Sequence, residues 1–278
     1  MWILLAAFAG LASNIFNIFN RHILRTESDS TALGWITEIV RLVIGIVLLV
    51  FDPSMVSISR TLMHIGIVGT IEIISVYVFM KMHLYSHLSI STIIRRTRLI
   101  WVPVIAYILL GERLALFDYV GIAILFIGLS ISAAPRKIMT DKGMQYAYLS
   151  AFFAAVLAIA VKFASRDMSV GWIMIAMSLL PTLIIPLFMK GASVRLKNAL
   201  QVNPASKLIS AGANSVAMIL LTMSIKIGSL SIATAIYQSM MLVSILVGIF
   251  IFQEREGLAK KIIGGTITVV AILIITLL

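Results

Sequence analysis

Long apolar stretches separated by short polar segments dominate the chain. Ten of them reach the length of about 20 residues that a helix needs to cross a bilayer. They cover residues 2–20, 31–51, 61–83, 87–110, 116–134, 143–165, 168–190, 205–226, 229–252 and 257–278. The stretches lack the two-residue alternation of strands, and an isolated spanning segment must satisfy its own backbone hydrogen bonds. Each stretch therefore predicts a transmembrane helix.

The connections between these stretches are mostly short. Only the connection formed by residues 191–204 is long enough to hold a short surface segment between two spans. The first stretch has no basic region before it, and it runs into Asn14 without a convincing cleavage site. We therefore interpret it as a retained first span and not as a signal peptide.

The chain repeats itself at an offset of 142 residues. LSIST at 88–92 matches LSIAT at 230–234, and the same offset takes the Glu-Arg pair at 112–113 onto the pair at 254–255. Both pairs follow the end of a long span, so we expect them to tie the turn at the membrane surface. A repeat of this length predicts that two similar groups of helices make up the chain.

The repeat also predicts how the two groups of helices lie in the membrane. One inserted residue after the second Glu-Arg pair aligns Gly121 with Gly264. We therefore predict two repeats of five helices, residues 1–135 and residues 143–278. Because five is an odd number, the second repeat enters the bilayer from the opposite side, which makes the two halves inverted repeats.

Composition excludes a soluble domain and several kinds of chemistry. The chain is 61% hydrophobic and 12% charged, with a mean hydropathy of +1.10, as is typical of a multi-pass membrane protein. Its net charge of +11 comes from Lys and Arg scattered between the spans, so membrane topology explains it better than nucleic-acid binding does. With no cysteine, the chain forms no disulfide and has no thiolate metal site.

The ends of the two halves carry a resemblance to a known family. The fourth and fifth stretches read LIWVPVIAYILLGERLALFDYVGIAILFIGLSI, and IFQEREGLAKKIIGGTITVVAILI occupies the same place near the end of the chain. The shared pattern is an apolar span, a Glu-Arg junction, a short link, then Gly and a second apolar span. It resembles the drug/metabolite transporter superfamily, and within it the ten-helix EamA-like permeases. The second copy departs from the pattern by having Gln253 where Gly111 stands.

The resemblance implies a fold, a location and a class of function. It implies a carrier for small metabolites, commonly an exporter, with a central cavity between the two halves. We expect a multi-pass protein of a bacterial or archaeal plasma membrane, as a monomer or a homodimer. The resemblance places the N-terminus in the cytoplasm. That orientation leaves thirteen Lys and Arg in external connections and four in internal ones, so the positive-inside rule predicts the opposite orientation.

Three arginines lie near the middle of the fourth stretch. Arg95, Arg96 and Arg98 are eight to eleven residues into it. Each arginine at a helix centre costs about 2.5 to 3.5 kcal/mol when it faces lipid. The three side chains must therefore face protein, water or a ligand. Pro103 removes a backbone donor and leaves the carbonyl of Leu99 unpaired, which predicts a weakened helix beside this cluster.

Helical spacing separates the three arginines. Arg95 and Arg98 are about 60° apart around the helix axis, whereas Arg96 is about 160° from Arg98. We predict that Arg95 and Arg98 face the cavity and that Arg96 pairs with an acid or reaches toward the membrane surface. The alternative is that the cluster only links helices, or that it lies close to an interface.

Other polar residues inside the spans extend the predicted site. Glu38 and Arg41 are three residues apart and can pair on one helix face, either within the site or merely as a neutralised pair. The offset of 142 places Asn214 at the position of Glu72, so both are expected to face the pseudo-symmetry axis. Glu72 either lines the cavity or is the structural partner of an arginine.

Charge within the spans predicts the substrate. The four arginines exceed the two glutamates by two positive charges when both acids are ionised. An anionic substrate would offset this excess, and a guanidinium can hold a carboxylate or phosphate through two parallel hydrogen bonds.

The first and ninth spans supply uncharged candidates. Asn14, Asn17 and Arg21 follow helical spacing and form a polar stripe, which contacts substrate or links helices. Tyr237 and Gln238 of the ninth span correspond by the offset to the first two arginines of the fourth. We predict that Tyr237 and Gln238 lie across the cavity from them.

These observations favour a secondary or facilitative carrier. We expect it to move a small polar, anionic or zwitterionic metabolite, such as an amino acid or organic acid, by alternating access. Protons or a counter-substrate are candidate coupling partners, and a flippase of a lipid-linked phosphate is an alternative carrier. A channel or a non-transporting membrane partner is a further alternative. The chain has no nucleotide-binding loop, so we do not expect ATP-driven transport. It also has no HExxH motif, and we expect no enzymatic activity, no bound metal and no cofactor.

Overall fold

The computed structural model describes residues 1–26, 29–85, 94–133, 142–250 and 257–277. Within these residues the chain forms helices joined by short connections. The α-helices are α1 (Trp2–Thr26), α2 (Ser30–Phe51), α3 (Ile58–Tyr85), α4 (Arg98–Leu110), α5 (Leu116–Ala133), α6 (Lys142–Asp167), α7 (Val170–Ile184), α8 (Ala192–Gln201), α9 (Pro204–Ile227), α10 (Leu230–Ser239), α11 (Met241–Phe250) and α12 (Leu258–Leu277).

Seven of the described helices are long and apolar enough to cross a membrane. They are α1, α2, α3, α6, α9, α12, and α7 together with the 3-10 turn Ile185–Phe188 that follows it. Three shorter apolar segments accompany them, namely α4, α5 and the consecutive helices α10 and α11. Exposed Leu, Ile, Val and Phe side chains cover the outer surface, as expected of helices that face lipid. The chain is therefore an all-helical membrane protein in its described part.

The helices pack in a pattern that crosses the midpoint of the chain. Helix α1 packs on α9 and α10, α2 packs on α7 and α9, and α3 packs on α6 and α7. Helix α4 lies against α6 and α10, and α5 lies against α12. Most of the large contacts therefore join an element of the first half to one of the second, so neither half buries its apolar surface alone.

Small residues allow the closest of these contacts. A side chain at Gly128 would lie 2.8 Å from the backbone nitrogen of Thr268, so α5 and α12 touch backbone to backbone. At Gly10, a side chain would lie 2.6 Å from the Cβ of Met240, which brings α1 equally close to the end of α10. Close approach of this kind stabilises helices in lipid, where the hydrophobic effect gives little.

Both the fourth and the ninth spans are interrupted near their middle. In the fourth, Arg96 and Thr97 form a turn, and the hydroxyl of Thr97 donates to the carbonyl of Ile94 at 2.7 Å. In the ninth, the interruption falls at Met240 between α10 and α11. Pro103, where the sequence predicts a weakened helix, lies inside the continuous helix α4, so the interruption of the span falls before it. The hydrogen bond from the Thr97 hydroxyl to a backbone carbonyl accompanies this turn.

The α9 to α10 turn is held by two oppositely charged side chains. The carboxylate of Glu112 accepts the backbone N–H groups of Leu230 and Ser231 at 2.8 and 3.3 Å and the Ser231 hydroxyl at 2.7 Å. The ammonium of Lys162 donates to the carbonyls of Ile225 and, at 2.9 Å, Gly228. Glu112 thus lies at a junction as predicted, but it caps a helix of the other half instead of pairing with the adjacent arginine. The matching pair at 254–255 lies outside the described residues.

The surface helix α8 occupies the predicted connection between the seventh and eighth spans. Its Arg195 contacts Asp29 through two nitrogens, with Nε of Arg195 at 2.7 Å from Oδ2 of Asp29. Asp29 also accepts the backbone N–H of Ala32 and so caps the start of α2. The buried Lys207 donates to the carbonyls of Ala199 and Val202, which satisfies backbone groups at the end of α8.

Candidate functional site

A cavity of about 180 Å³ lies between the two halves of the chain. Residues of α1, α2, α3, the fourth span, α6, α7, α9 and α10 line it. One of its ends is formed by Ile225 and Leu230, which are 2% and 0% exposed, beside the turn that Glu112 and Lys162 hold. Toward the opposite membrane face, the lining includes Asn20 and Ser30. The cavity therefore runs from mid-membrane depth toward both ends of the helices around it.

Arg41 of α2 binds two carboxylates through a single nitrogen. Its Nη1 donates to Oε2 of Glu38 at 2.9 Å and to Oε1 of Glu72 at 2.7 Å. The side chains of Arg41, Glu38 and Glu72 are 4%, 3% and 7% exposed. The predicted pair of Glu38 and Arg41 is therefore part of a triad with α3, and Glu72 both lines the cavity and pairs with an arginine.

Arg95 and Arg98 line the same cavity from the fourth span. The guanidinium of Arg95 lies over the ring of Phe79, 4.8 Å from the ring centroid. Arg98 has a buried Nε with no hydrogen-bond partner among the described residues. Within that same part of the chain neither arginine forms an ion pair with a carboxylate. These two cations are held in place by packing while their charge faces the cavity.

Arg96 lies away from the cavity. It is 2% exposed, and its Nη2 donates to the sulfur of Met241 at 2.9 Å. In the described part of the chain it neither pairs with an acid nor reaches the surface, so both predicted environments are wrong. The helical geometry explains its separation from Arg95 and Arg98, since residue 96 points to another side of the helix.

Uncharged side chains form the remainder of the predicted site. Asn214 is 7% exposed and lines the cavity on α9, as does Asn17 on α1. Tyr237 lines it on α10, and its hydroxyl donates to the hydroxyl of Ser13 at 2.7 Å. The wall formed by α1, α9 and α10 is therefore neutral, whereas the wall formed by α2, α3 and the fourth span is charged.

Two predicted residues do not line the cavity. The side-chain amide of Asn14 donates to the carbonyl of Met240 at 2.6 Å, at the break between α10 and α11. Gln238 is not among the lining residues, and its Nε2 is buried without a partner in the described structure. Asn14 therefore links two helices, the second of its two predicted roles. The side chain of Arg21 lies outside the part of the chain that is described.

Several lining residues were not predicted from the sequence. On α1, the unpredicted Ser13 and Asn20 line the cavity on either side of the predicted Asn17, at spacings of four and three residues. Helical spacing could have identified this face, because Ser13, Asn17 and Asn20 share one side of the helix, just as the residues of the predicted stripe do. Thr37 and Thr234 also line the cavity from α2 and α10.

Five of the ten buried side-chain polar atoms without a partner in the described structure belong to lining residues, and the other five belong to Arg96, Ser130, Thr182 and Gln238, which do not line the cavity. Buried atoms without a partner in the described structure include Oδ1 of Asn20, Nε of Arg41, Oγ of Ser75 and Oγ1 of Thr234, all on lining residues. Because buried polar groups ordinarily have partners, the five atoms in the cavity wall are available to water or to a polar ligand in the cavity.

The charges of the cavity wall do not balance. Three arginines against two glutamates leave an excess of one positive charge when both acids are ionised. This arrangement suits reversible binding of a small anion, whose charge would be held by guanidinium groups away from bulk water.

A helical membrane protein with a polar, cationic cavity between its two halves has the architecture expected of a small-molecule carrier. The model of the EamA-like transporter family matches residues 1–134 and again residues 141–277. The chain therefore belongs to the EamA-like transporter family, within the drug/metabolite transporter superfamily.

A solved structure supports the fold. One crystal structure aligns with 98% of this chain and 96% of its own chain, at a TM-score of 0.64 and 16% sequence identity. Similarity at that identity shows the fold alone. No curated protein matches the sequence significantly.

Proposed function

We propose that this protein is a secondary or facilitative carrier that moves a small anionic or zwitterionic metabolite across the membrane by alternating access. The observation that carries the proposal is the pair Arg95 and Arg98, which line a buried cavity with no carboxylate partner among the described residues. Substrates of this class include organic acids and amino acids.

The cost of burying charge supports an anionic substrate. An isolated charge inside the membrane is expensive, and a protein retains it where it has a function. Arg41 is neutralised by the two glutamates that it binds, whereas Arg95 lies over the ring of Phe79 and forms no ion pair among the described residues. A carboxylate or phosphate bound by Arg95 and Arg98 would complete their hydrogen bonds and offset the excess charge.

Alternating access requires two related packings, and the helix contacts support such a relation. We infer ten spans in two inverted halves, residues 1–135 and 143–278. Exchanging each span for its counterpart five spans later turns the pair α1 and α9 into α6 and α3. It likewise turns α1 and α10 into α6 and α4, and all of these pairs are in contact.

Contacts at the crossing of α5 and α12 follow the same exchange. A side chain at Gly121 would meet Ile275, and one at Gly264 would meet Ser132. The alignment of Gly121 with Gly264 also places Ser132 on Ile275, so the two contacts exchange with each other. Inverted repeats of this kind allow one packing to be replaced by its symmetry-related one.

A ligand screen followed by transport tests the proposed function. Organic acids, amino acids and phosphate esters are screened against the purified protein in detergent. A compound that binds only the folded state must raise its melting temperature. The same compounds are then loaded into proteoliposomes, and their movement is measured with and without a pH gradient and with a counter-substrate inside. Stabilisation and movement of cationic solutes only would contradict the proposal.

We also propose where the carrier acts, from the family resemblance. It would reside in the plasma membrane of a bacterium or archaeon, as a monomer or homodimer, and would export its substrate. Sided labelling of a thiol introduced at the N-terminus tests the orientation, since the chain has no other cysteine.

A second candidate function has one observation in its favour. An apolar groove of about 660 Å³ runs along α4 and α5 on the outer surface, lined by Ile100, Tyr107 and Phe126 among others. A lipid-linked phosphate could place its chain in that groove and its phosphate near Arg98. Movement of a fluorescent lipid phosphate between leaflets of proteoliposomes, lost in Arg98→Gln, would favour this function over transport of a soluble solute.

A further inference from the structure

The triad of Arg41, Glu38 and Glu72 contains more negative charge than its arginine can neutralise. Both carboxylates lie within 2.9 Å of the same nitrogen, so they share one guanidinium group at short range. With both acids ionised, the triad carries one net negative charge among side chains that are at most 7% exposed. Two carboxylates so close together in a poorly solvated place resist being ionised simultaneously.

The positive charge of Arg95 and Arg98 balances the triad, and the same positive charge would bind the proposed anionic substrate. Arg98 and Arg95 line the same cavity as Glu72 and Glu38. An empty cavity allows Arg98 and Arg95 to compensate the second carboxylate. An anion bound to these two arginines takes that compensation away, which leaves the triad with an unbalanced negative charge.

We propose that Glu38 and Glu72 together form a proton-binding site, which takes up one proton when an anion occupies Arg95 and Arg98. The inference rests on the proposed function for the identity of the anion site. Binding of the proton and binding of the anion favour each other, since coupling between two bound ligands is reciprocal. The proton comes from the aqueous side to which the cavity is open and leaves to the side on which the anion is released.

Three unpartnered polar atoms besides the acid pair point to a ligand here. Nε of Arg41 is buried without a partner in the described structure, in a residue that is 3% exposed. Thr234, which is 1% exposed, likewise has an unpartnered Oγ1 in the wall of the same cavity. Oγ of Ser75, one helical turn after Glu72, lacks a partner too, and places a hydroxyl beside the acid pair.

Few other titratable groups act on the pair. Those that line the cavity with Glu38 and Glu72 are Arg41, Arg95, Arg98 and Tyr237. Helix α7, which packs on both α2 and α3, has no titratable side chain. The described charged side chains of the remaining helices packed on α2 and α3 do not line the cavity: Arg60, His64, Lys81, Lys162, Arg166, Asp167, Arg195, Lys197, Lys207 and Lys226.

Infrared spectroscopy of the reconstituted protein tests the site without any transported solute. Lowering the pH from about 9 to about 5 should produce the absorption of a protonated carboxylic acid in the wild type, because two close acids do not both stay ionised. The double variant Glu38→Gln/Glu72→Gln should lack this absorption. Its absence from the wild type, or its persistence in the double variant, would overturn the proposal.

Replacing Arg98 imitates the loss of its positive charge to a bound anion. In Arg98→Gln, the carboxylic absorption should persist to higher pH, corresponding to at least about a tenfold gain in proton affinity. Arg96→Gln is the matched control, because it removes a buried guanidinium from the same span but away from the cavity. An equal shift in both variants, or none in either, would overturn the coupling.

The outcomes of this experiment are separate from those of the transport assay. A carrier that moves anions without a carboxylic absorption keeps the proposed function and loses the proton site. A titrating acid pair in a protein that moves no tested anion would establish the proton site while contradicting the proposed function.

Discussion

The fourth and ninth spans share a backbone feature and differ in the charge they carry. The hydroxyl of Thr97 donates to the carbonyl of Ile94, and that of Ser239 donates to the carbonyl of Ile236, each at 2.7 Å. The two hydrogen bonds are 142 residues apart, which is the offset of the sequence repeat. Each lies beside the interruption of its span, so the same local geometry recurs in both halves.

The side chains around these two interruptions are chemically different. At Arg95 and Arg98 the fourth span places two cations in the cavity, whereas the ninth has Tyr237 and Met240 at the matching positions. The comparison teaches that a repeated backbone can form both walls while one wall alone supplies the charge. A small anion would therefore be held from one side and enclosed by neutral groups on the other.

The largest expected effect comes from removing the charge of the fourth span. Arg98→Gln and Arg95→Gln should each weaken binding of an anionic ligand at least about thirtyfold, since loss of one partner of a buried charge pair costs about 2 to 5 kcal/mol. The measurement is the ligand dependence of melting temperature, followed by transport in proteoliposomes.

Arg96→Gln is the control for that experiment. It removes the same functional group one or two residues away, where the side chain contacts Met241 and not the cavity. Binding should change little. Equal losses in all three variants would show that the cluster acts only through helix packing, and the contrast between the two walls would then have no functional meaning.

A smaller effect is expected on the neutral wall. Tyr237→Phe removes a neutral hydroxyl from the cavity lining and should weaken binding by a few-fold, since a neutral hydrogen bond to a bound substrate contributes about 0.5 to 1.5 kcal/mol. Tyr107→Phe, on the exposed face of α4, serves as the control. A loss in Tyr237→Phe as large as that in Arg98→Gln would mean that both walls bind the substrate equally.

The two interruptions themselves can be compared directly. Thr97→Ala and Ser239→Ala each remove the hydroxyl that bonds backward, and each should lower the free energy of unfolding by about 1 kcal/mol. Melting temperatures in detergent measure the effect. Thr266→Ala, whose exposed hydroxyl bonds to Ile262 in the middle of α12, is the control and should have less effect. A loss confined to one of the two spans would break the equivalence of their backbones.

Helical periodicity was sufficient to predict much of the fold and part of the site. The apolar stretches coincide with described helices because lipid imposes a simple rule of length and hydrophobicity on each span. Arg95 and Arg98 were separated from Arg96 by the angle between successive residues alone. Each of these features depends on a single helix, so it can be predicted from the local sequence.

Features that depend on two helices were missed or only half predicted. The spacing of Glu38 and Arg41 predicts their pair, but the pairing of Arg41 with Glu72 depends on how α2 meets α3. On α1 the predicted stripe began at Asn14, whereas the cavity face begins at Ser13. One residue turns a helix by about 100°, so a small error in the choice of face moves a side chain out of the site.

The connections outside the membrane also distinguish the two halves, and they allow the mildest test. Helix α8 precedes the eighth span, whereas only residues 52–57 precede the third. Burial raises the pKa of Asp29, but hydrogen bonds from Arg195 and Ala32 outweigh it, so the pKa lies below its ordinary value of 3.8.

Asp29→Asn keeps a good helix cap on α2 and removes the ion pair to α8. The two side chains are about one-third exposed, at 35% and 33%, so the loss of stability at neutral pH should stay below about 1 kcal/mol. A carboxylate with a lowered folded pKa stabilises the fold above its unfolded pKa and loses that effect as the pH falls through the folded value. The difference in melting temperature between wild type and variant should therefore be present at pH 6 and shrink below about pH 4. Lys197→Gln, on the same helix, should show no such pH dependence. A constant difference in melting temperature down to pH 3 would mean that Asp29 acts as a helix cap and not through Arg195. The ion pair would then make no contribution to the packing of α8.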